Sequence, residues 1–554
     1  MDAIKFRLAS LLMPLLIGGV YLVSSPGTAT GADESSTVIW YDDDKQPIPM
    51  PKPDFPKETL SVYDENFSRP TDRFFHPTRF IRRIGRWFGG DIALPAANVN
   101  AYDEVPNSTW FTNRIGLTKV TPEDCARGCR TTGPNTDQRW RVLGAKTDGV
   151  TPGFLIRDAD GNKFLLKLDP AGYVGTTVRA SVISSLILYG CGFNVPAEYA
   201  VTFGPDDLLI EGDLSYRPLG GGAIPLTSDN LAEVLGEPHT ADGRWIAVAS
   251  HYLAGKPLGP FDYKGRRDDD PNDRINHEDR RELRGLYVFS AWLNHFDSKR
   301  DNTLDMYVGE PGEGHVKHYL IDFASTLGAG GTGPTQKWGW EYGMDIPAST
   351  GRLVSLGFHE DRWVALERPA GLDEIGYMDN RWYDPIEWKP IRPNTSFAHL
   401  TNRDGYWAAK IVTAFTDKHL AYIVDQADYE NPAATEFMTR ALAERRDIIG
   451  RYWFGRVPPL DFFTVSDGAV VFADLGVERA LFDAASSRYR SRWRSHDGGW
   501  TEWSESDRTV VELERDAVIG YPIRVQCQVS RGGGWSGATE VTVVADGRVT
   551  SLVR

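Results

Sequence analysis

Between Arg141 and Tyr189 the chain changes its repeat, and that change limits what the first half can fold into. Arg141 to Lys146, Phe154 to Arg157 and Lys163 to Asp169 read as three short strands set between turn signals. Asp158-Ala-Asp-Gly-Asn162 is the turn joining the second to the third. From Thr176 the spacing becomes helical, with Val178, Val182, Ile183 and Leu186 on one face, and Gly190, Gly192 and Pro196 ending the helix. Arg244 to Tyr252 is a further apolar strand. Strands, helix and strand in this order predict an α+β organisation.

The pattern differs further along. A charged, Asp/Arg-rich loop runs from 264 to 275, and Asn276 with Asp279 reads as a capping box opening a long helix to Asn294. After residue 330 helical spacing dominates, as in Trp407, Ile411, Val412 and Phe415. Pro458-Pro459 marks a boundary. Beyond it lie short alternating strands at 470–472, 489–495, 510–513, 523–529 and 540–544, which predict a small all-β sandwich of immunoglobulin or fibronectin type. Trp493, Trp500, Trp503 and Trp535 are either its core or stacking faces for carbohydrate.

The amino end reads as an export signal. Lys5 and Arg7 precede an uncharged apolar run, Leu8 to Val23, followed by the small and polar stretch Ser24 to Ala32. An exported protein is expected, and an uncleaved anchor is the other reading. Residues 41–57 are rich in Asp, Pro and Lys and predict an extended linker. Residues 69–88 interleave six arginines with Phe80, Ile84, Trp87 and Phe88 on one helical face. They predict a basic amphipathic helix, either packed on the main body or in peripheral contact with an anionic membrane. The segment Asp103 to Arg114 is read as a turn packing onto the strands that follow. Across all 554 residues Lys plus Arg is 61 and Asp plus Glu is 76, a net charge of −15, which argues against a dedicated nucleic-acid binder. Cys125 and Cys129 are spaced for a local disulfide or are two free thiols, and Cys191 and Cys527 read as core.

Three features then occur in a telling order. Lys167 sits on the third strand, after a Gly-containing loop with Gly149 and Gly153. His295-Phe-Asp-Ser-Lys-Arg-Asp-Asn302 follows the long helix. Tyr319-Leu-Ile-Asp322-Phe-Ala324 is an apolar strand delivering a carboxylate. Phosphoryl transfer needs a cation on the phosphates, an Asp to orient the attacking hydroxyl, and an amide and a carboxylate to hold divalent metal. Lys167, Asp297, Asn302 and Asp322 match those roles, with Lys299 as a point charge beside the transferred group. His295 is expected to brace the loop through backbone hydrogen bonds, and Asp301 and Asp305 to be solvated loop charges.

At these residues the chain resembles the protein-kinase-like superfamily, whose loop is H-R-D-x-x-x-x-N and whose metal motif is D-F-G. Its flavour is similar to the atypical bacterial kinases of the HipA-like and spore-coat CotH-like groups, which share the passage Gly192-Phe-Asn-Val-Pro196. Over roughly 138–455 the resemblance implies a two-lobed fold, with a β-rich N-lobe at 138–250 and a helical C-lobe at 251–455. The remaining parts are a signal peptide at 1–32, an N-terminal extension at 33–137 and the β-sandwich at 456–554. It also implies ATP or another nucleoside triphosphate, Mg or Mn, and a hydroxyl-bearing acceptor, either protein or small molecule. Lys167, Gly149 and Gly153 are then nucleotide-binding, Asp297 and Lys299 catalytic, and Asn302 and Asp322 metal-binding.

The chain departs from that pattern in four places. Phe296 stands where an Arg usually reads an activation-loop phosphate. Ala324 replaces the Gly of the metal motif. The loop around Gly149 and Gly153 is not G-x-G-x-x-G. The helix after Lys167 contains no Asp or Glu, with Ser181 near the expected position. Asp169, Glu198 or a distant acid then orients Lys167, or the protein is a secreted pseudokinase, a binding or scaffold module without turnover.

Overall fold

A computed structural model describes residues 38–55, 94–145, 152–217, 222–355, 358, 360–496, 498–513, 522–544 and 546–554. The export segment 1–32, the basic segment 69–88 and Gly149 lie outside these described residues. Strands β1 (Trp140–Ala145), β2 (Gly153–Arg157), β3 (Lys163–Leu168), β4 (Glu198–Phe203) and β5 (Leu208–Ile210) join a mixed sheet. Strands β6 (Leu214–Tyr216) and β7 (Ile224–Leu226) form a hairpin of their own, and β8 (Trp245–His251) returns to the mixed sheet. The order is β4-β8-β3-β2-β1-β5, antiparallel throughout except for β1 beside β5.

The period-two alternation of β3 sets which face each residue takes. Phe164, Leu166 and Leu168 point to an apolar layer with Phe154, Ile156, Phe203, Trp245, Ala247 and Ala249. Lys167 therefore faces the opposite side. Helix α1 (Pro122–Arg127) and the apolar helix α2 (Thr176–Cys191) belong to the cluster on that side. All of α2 except Tyr189 is buried. The sequence spacing suggests a one-faced helix, yet α2 is covered all round, because it touches β3, β4 and β8 as well as helices on its far side. Each fully buried Val, Ile or Leu there contributes about 1.5–3 kcal/mol.

Helix α3 (Leu231–Leu235) closes the first layer, and β9 (Lys256–Gly259), β10 (Thr303–Val308) and β11 (His315–Leu320) form a second sheet in the order β11-β10-β9. The expected long helix begins later than the capping reading predicts. His277–Asp279 is a short 3-10 turn, Asn276 makes no side-chain cap, and α4 runs from Arg281 to Leu293. Asp279 is drawn instead to Arg284, 2.7 Å away. Past residue 330 the chain is less helical than its spacing suggests. It holds α5 (Ile346–Val354), α6 (Thr395–Ala398), α7 (Asn402–Val412), α8 (Asp417–Asp425) and α9 (Pro432–Phe454), with a long irregular stretch before α6.

The Pro-rich stretch at 41–55 is extended as expected, but it is bonded along its length rather than free. Ile48 N donates to Gly314 O, Asp54 N donates to Leu258 O, and the buried Asp44 carboxylate accepts from Thr109 N and Oγ1. Residues 103–114 pack against the helices and β11, not onto the first sheet alone. Asp103 pairs with Arg281 at 2.7 Å, Glu104 and Asp461 flank the buried Lys410, and Trp110 stacks on His318 at 3.5 Å. Asp305 is not a solvated charge. It lies buried on β10 between His318 at 2.7 Å and Arg267 at 3.4 Å, because strand pairing turns it inward. The four cysteines are free thiols, so Cys125 and Cys129 form no disulfide here.

The last hundred residues hold β12 (Leu460–Ser466), β13 (Ala469–Asp474), the short helix α10 (Leu475–Glu478), β14 (Arg488–Arg494), β15 (Ser504–Ser506), β16 (Val510–Glu512), β17 (Ile523–Ser530), β18 (Thr539–Val543) and β19 (Val549–Val553). They pair as β12-β13-β16 and β15-β14-β17-β18-β19. Leu460, Val470, Phe472 and Val511 from one sheet share an apolar cluster with Tyr489, Val525, Cys527 and Val541 from the other. Trp493 packs at its margin. The other three tryptophans lie outside the core, half-buried under arginines. On the outer side of β14, Arg490 lies over Trp503 and Trp535, Arg492 over Trp500 and Trp503, and Arg494 over Trp500, each within 4.8 Å of the ring centre.

Candidate active site

Antiparallel register decides which side chains meet Lys167. Lys167 pairs with Val248 on β8, and Val248 pairs with Ala200 on β4. Residues in one such row share a face, and so do residues two positions away. Glu198, two residues before Ala200 and opposite Ser250, therefore shares the face of Lys167. Gly153 lies opposite Lys167 on β2. Of the acids suggested for Lys167, Asp169 is engaged elsewhere. Its carboxylate accepts from Gly175 N at 2.7 Å, Thr177 N at 2.8 Å and Thr177 Oγ1 at 2.6 Å, capping the start of α2. Glu198 shares the face of Lys167, is buried, and adds to the field that holds Lys167 charged.

The β10–β11 hairpin supplies the acidic side. Thr303 pairs with Leu320, so the residues just before β10 and just after β11 come together. Ile321 N donates to Asn302 O at 3.0 Å. Asp322 follows with φ +62°, a left-handed backbone that costs a non-glycine residue roughly 1–3 kcal/mol and persists only when its surroundings hold it. That turn aims Asp322 Oδ1 at Lys167 Nζ, 3.2 Å away.

The preceding loop is tied to itself. Asn302 Nδ2 donates to Asp297 O at 2.9 Å and Asp297 Oδ2 at 3.1 Å, and Lys299 Nζ lies 3.0 Å from Asp297 Oδ1. His295 sits between the two groups. It is buried against Phe323, its Nδ1 is 3.5 Å from Ser325 O, and it feels the charges of Asp297 and Asp322. Burial lowers its pKa and keeps the ring neutral. The buried Phe296, in place of the phosphate-reading Arg, stacks on Trp338 at 5.9 Å.

The electrostatics follow from burial. Desolvation pulls the Lys167 ammonium down, but Asp322 and then Glu198 more than offset it, so its pKa is raised. Burial pushes Glu198 up to about 7; Lys167 opposes this rise and Asp322 adds to it. Glu198 Oε2 has no hydrogen-bond partner. Among the described residues no three His, Cys, Asp or Glu side chains form a self-contained metal site. The donor types present nonetheless suit a hard divalent cation. Asp322 offers carboxylate oxygens, and Asn302, donating through Nδ2, keeps its amide oxygen for a ligand. Lys167, Gly153 and Asp322 thus lie in one group and Asp297, Lys299 and Asn302 in an adjoining one. Glu198 was legible only as one acid among three, because the face it takes relative to Lys167 is set by register across β8.

No protein-family model and no curated protein matches the chain. Among the solved structures that align with it are two kinases. The Helicobacter pylori proinflammatory kinase CtkA is 12% identical, covering 59% of this chain and 99% of its own, at a TM-score of 0.31. The Golgi casein kinase is 8% identical, covering 74% of this chain and 96% of its own, at a TM-score of 0.30. The functional reading rests on this chain's own side chains.

Proposed function

We propose that this chain is an exported, kinase-like phosphotransferase. It moves a phosphoryl group from ATP or another nucleoside triphosphate to a hydroxyl of a protein or small molecule. The observation that carries the reading is the ion pair of Lys167 with Asp322 beside the loop that ties Asp297, Lys299 and Asn302 together. In this reading 138–250 is a β-rich N-lobe, 251–455 a helical C-lobe and 456–554 a sandwich. Residues 1–32 direct export, and 69–88 make any peripheral membrane contact.

Lys167 holds the phosphates of the nucleotide and Glu198 holds Lys167. Asp297 orients the acceptor hydroxyl and takes its proton as the acceptor oxygen bonds to phosphorus and the bridging P–O bond to the leaving diphosphate breaks. Lys299 neutralises charge on the transferred group. Mg or Mn, held by Asp322 and Asn302, supplies charge neutralisation on the phosphates when bound. The alternative, a secreted pseudokinase, rests on the missing helix carboxylate together with the export signal.

Transfer of labelled phosphate from ATP in the presence of MnCl2 or MgCl2, with the unsubstituted chain and its Asp297→Ala variant, tests the reading. Transfer lost in the variant with nucleotide affinity retained supports it. Nucleotide binding without any transfer selects the pseudokinase alternative. Neither binding nor transfer overturns both.

A further inference from the structure

Asp322 depends on a strained backbone, so whatever holds the residues after it also controls it. Thr326, fully buried, donates from Oγ1 to Phe323 O at 2.8 Å and closes a tight turn directly behind Asp322. The same oxygen accepts the hydroxyl of Ser184, also fully buried, at 2.7 Å. Ser184 belongs to α2 (Thr176–Cys191), one turn beyond Ser181. The rest of α2 is clamped. Asp169 caps its start, Arg179 Nη2 lies 2.5 Å from Glu374 Oε1, and Arg179 also donates to Asp428 O at 3.0 Å. Phe296 has no phosphate-reading guanidinium to order this loop and is committed to Trp338. Thr326 Oγ1 also lies 3.3 Å from Ala180 O, so α2 reaches the turn that aims Asp322 through the Ser184 hydroxyl and, at longer range, through its own backbone.

We propose that Ser184 and Thr326 are positioning residues: their hydroxyl relay transmits the placement of α2 to Asp322 and so sets how well the site accepts a metal–nucleotide complex. This deepens the phosphotransferase reading and rests on it. A hydroxyl acts here that a carboxylate on the helix does not replace, and a purely apolar contact cannot orient the Phe323 carbonyl in this way.

The test uses the full chain and calorimetric ADP binding with and without MnCl2. Thr326→Val keeps the shape and removes the donor, Thr326→Ser restores it, and Ser184→Ala removes the relay from the helix side. The Mn-dependent gain in affinity is expected to fall about threefold to tenfold in Thr326→Val and Ser184→Ala, the scale of one buried hydrogen bond. Metal-free ADP affinity should stay unchanged, and Thr326→Ser should retain the gain. Unchanged gain in Thr326→Val, or equal loss in Thr326→Ser, overturns the relay alone. If Thr326→Val does not fold, Ser184→Ala decides by the same readout. No Mn-dependent gain in the unsubstituted chain overturns the phosphotransferase reading, and the relay with it.

Discussion

Lys167 Nζ and Asp322 Oδ1 lie 3.2 Å apart, so a strand cation and a loop carboxylate neutralise each other across the site. A polyphosphate that enters must exchange this pair for its own contacts. Lys167→Met keeps much of the stem and removes the charge. We expect it to weaken ATP binding in the presence of MnCl2 by about tenfold or more, or roughly 1.4 kcal/mol, as read by calorimetry. Unaltered affinity removes Lys167 from the site.

Glu198 ties stability to pH. Its folded pKa is about 7 against an ordinary 4.5, raised by burial. The folded state therefore binds more protons across that window, and stability falls as pH rises through it. The full effect, at most about 3 kcal/mol, is reached above pH 7. Glu198→Gln should remove this slope, and its melting temperature should exceed that of the unsubstituted chain on the alkaline side only. Parallel melting curves at all pH values contradict the assignment.

Asp297 accepts from Asn302 and pairs with Lys299, so an amide in its place keeps the loop but cannot take a proton. Asp297→Asn is expected to lower kcat by about 100-fold to 10,000-fold, the range for a positioned base, with KM for the nucleotide little changed.

Lys410 is buried between Glu104 and Asp461. Removing its charge leaves the buried Glu104 without its cation, while Asp461 keeps Arg554 at 2.7 Å. Lys410→Met is expected to destabilise the fold by about 3–5 kcal/mol, measured by denaturant or thermal unfolding.

The outer face of β14 gives a spectroscopic prediction. Arg492 covers both Trp500 and Trp503. Arg492→Ala should expose them, shift tryptophan emission to the red and cost about 1–2 kcal/mol for two cation–π contacts.

Much of the layout was already legible in the sequence. The strands around Lys167, the helix from Thr176 and the late strands after Pro458-Pro459 were readable because each is a local pattern of period two or 3.6 between breakers. The order of Lys167, Asp297, Asn302 and Asp322 was legible because motif spacing is local as well. What lay beyond reach was set by pairing at a distance. Glu198 came to share the face of Lys167 only through register across β8, Asp169 went to a helix start, and Asp305 turned inward on β10. Trp500, Trp503 and Trp535 found arginines instead of core, because the alternation of β14 put Arg490, Arg492 and Arg494 outside. Local chemistry chose the elements. Which charges meet was decided by tertiary packing, since the free energy of a buried charge depends on neighbours that no sequence window contains.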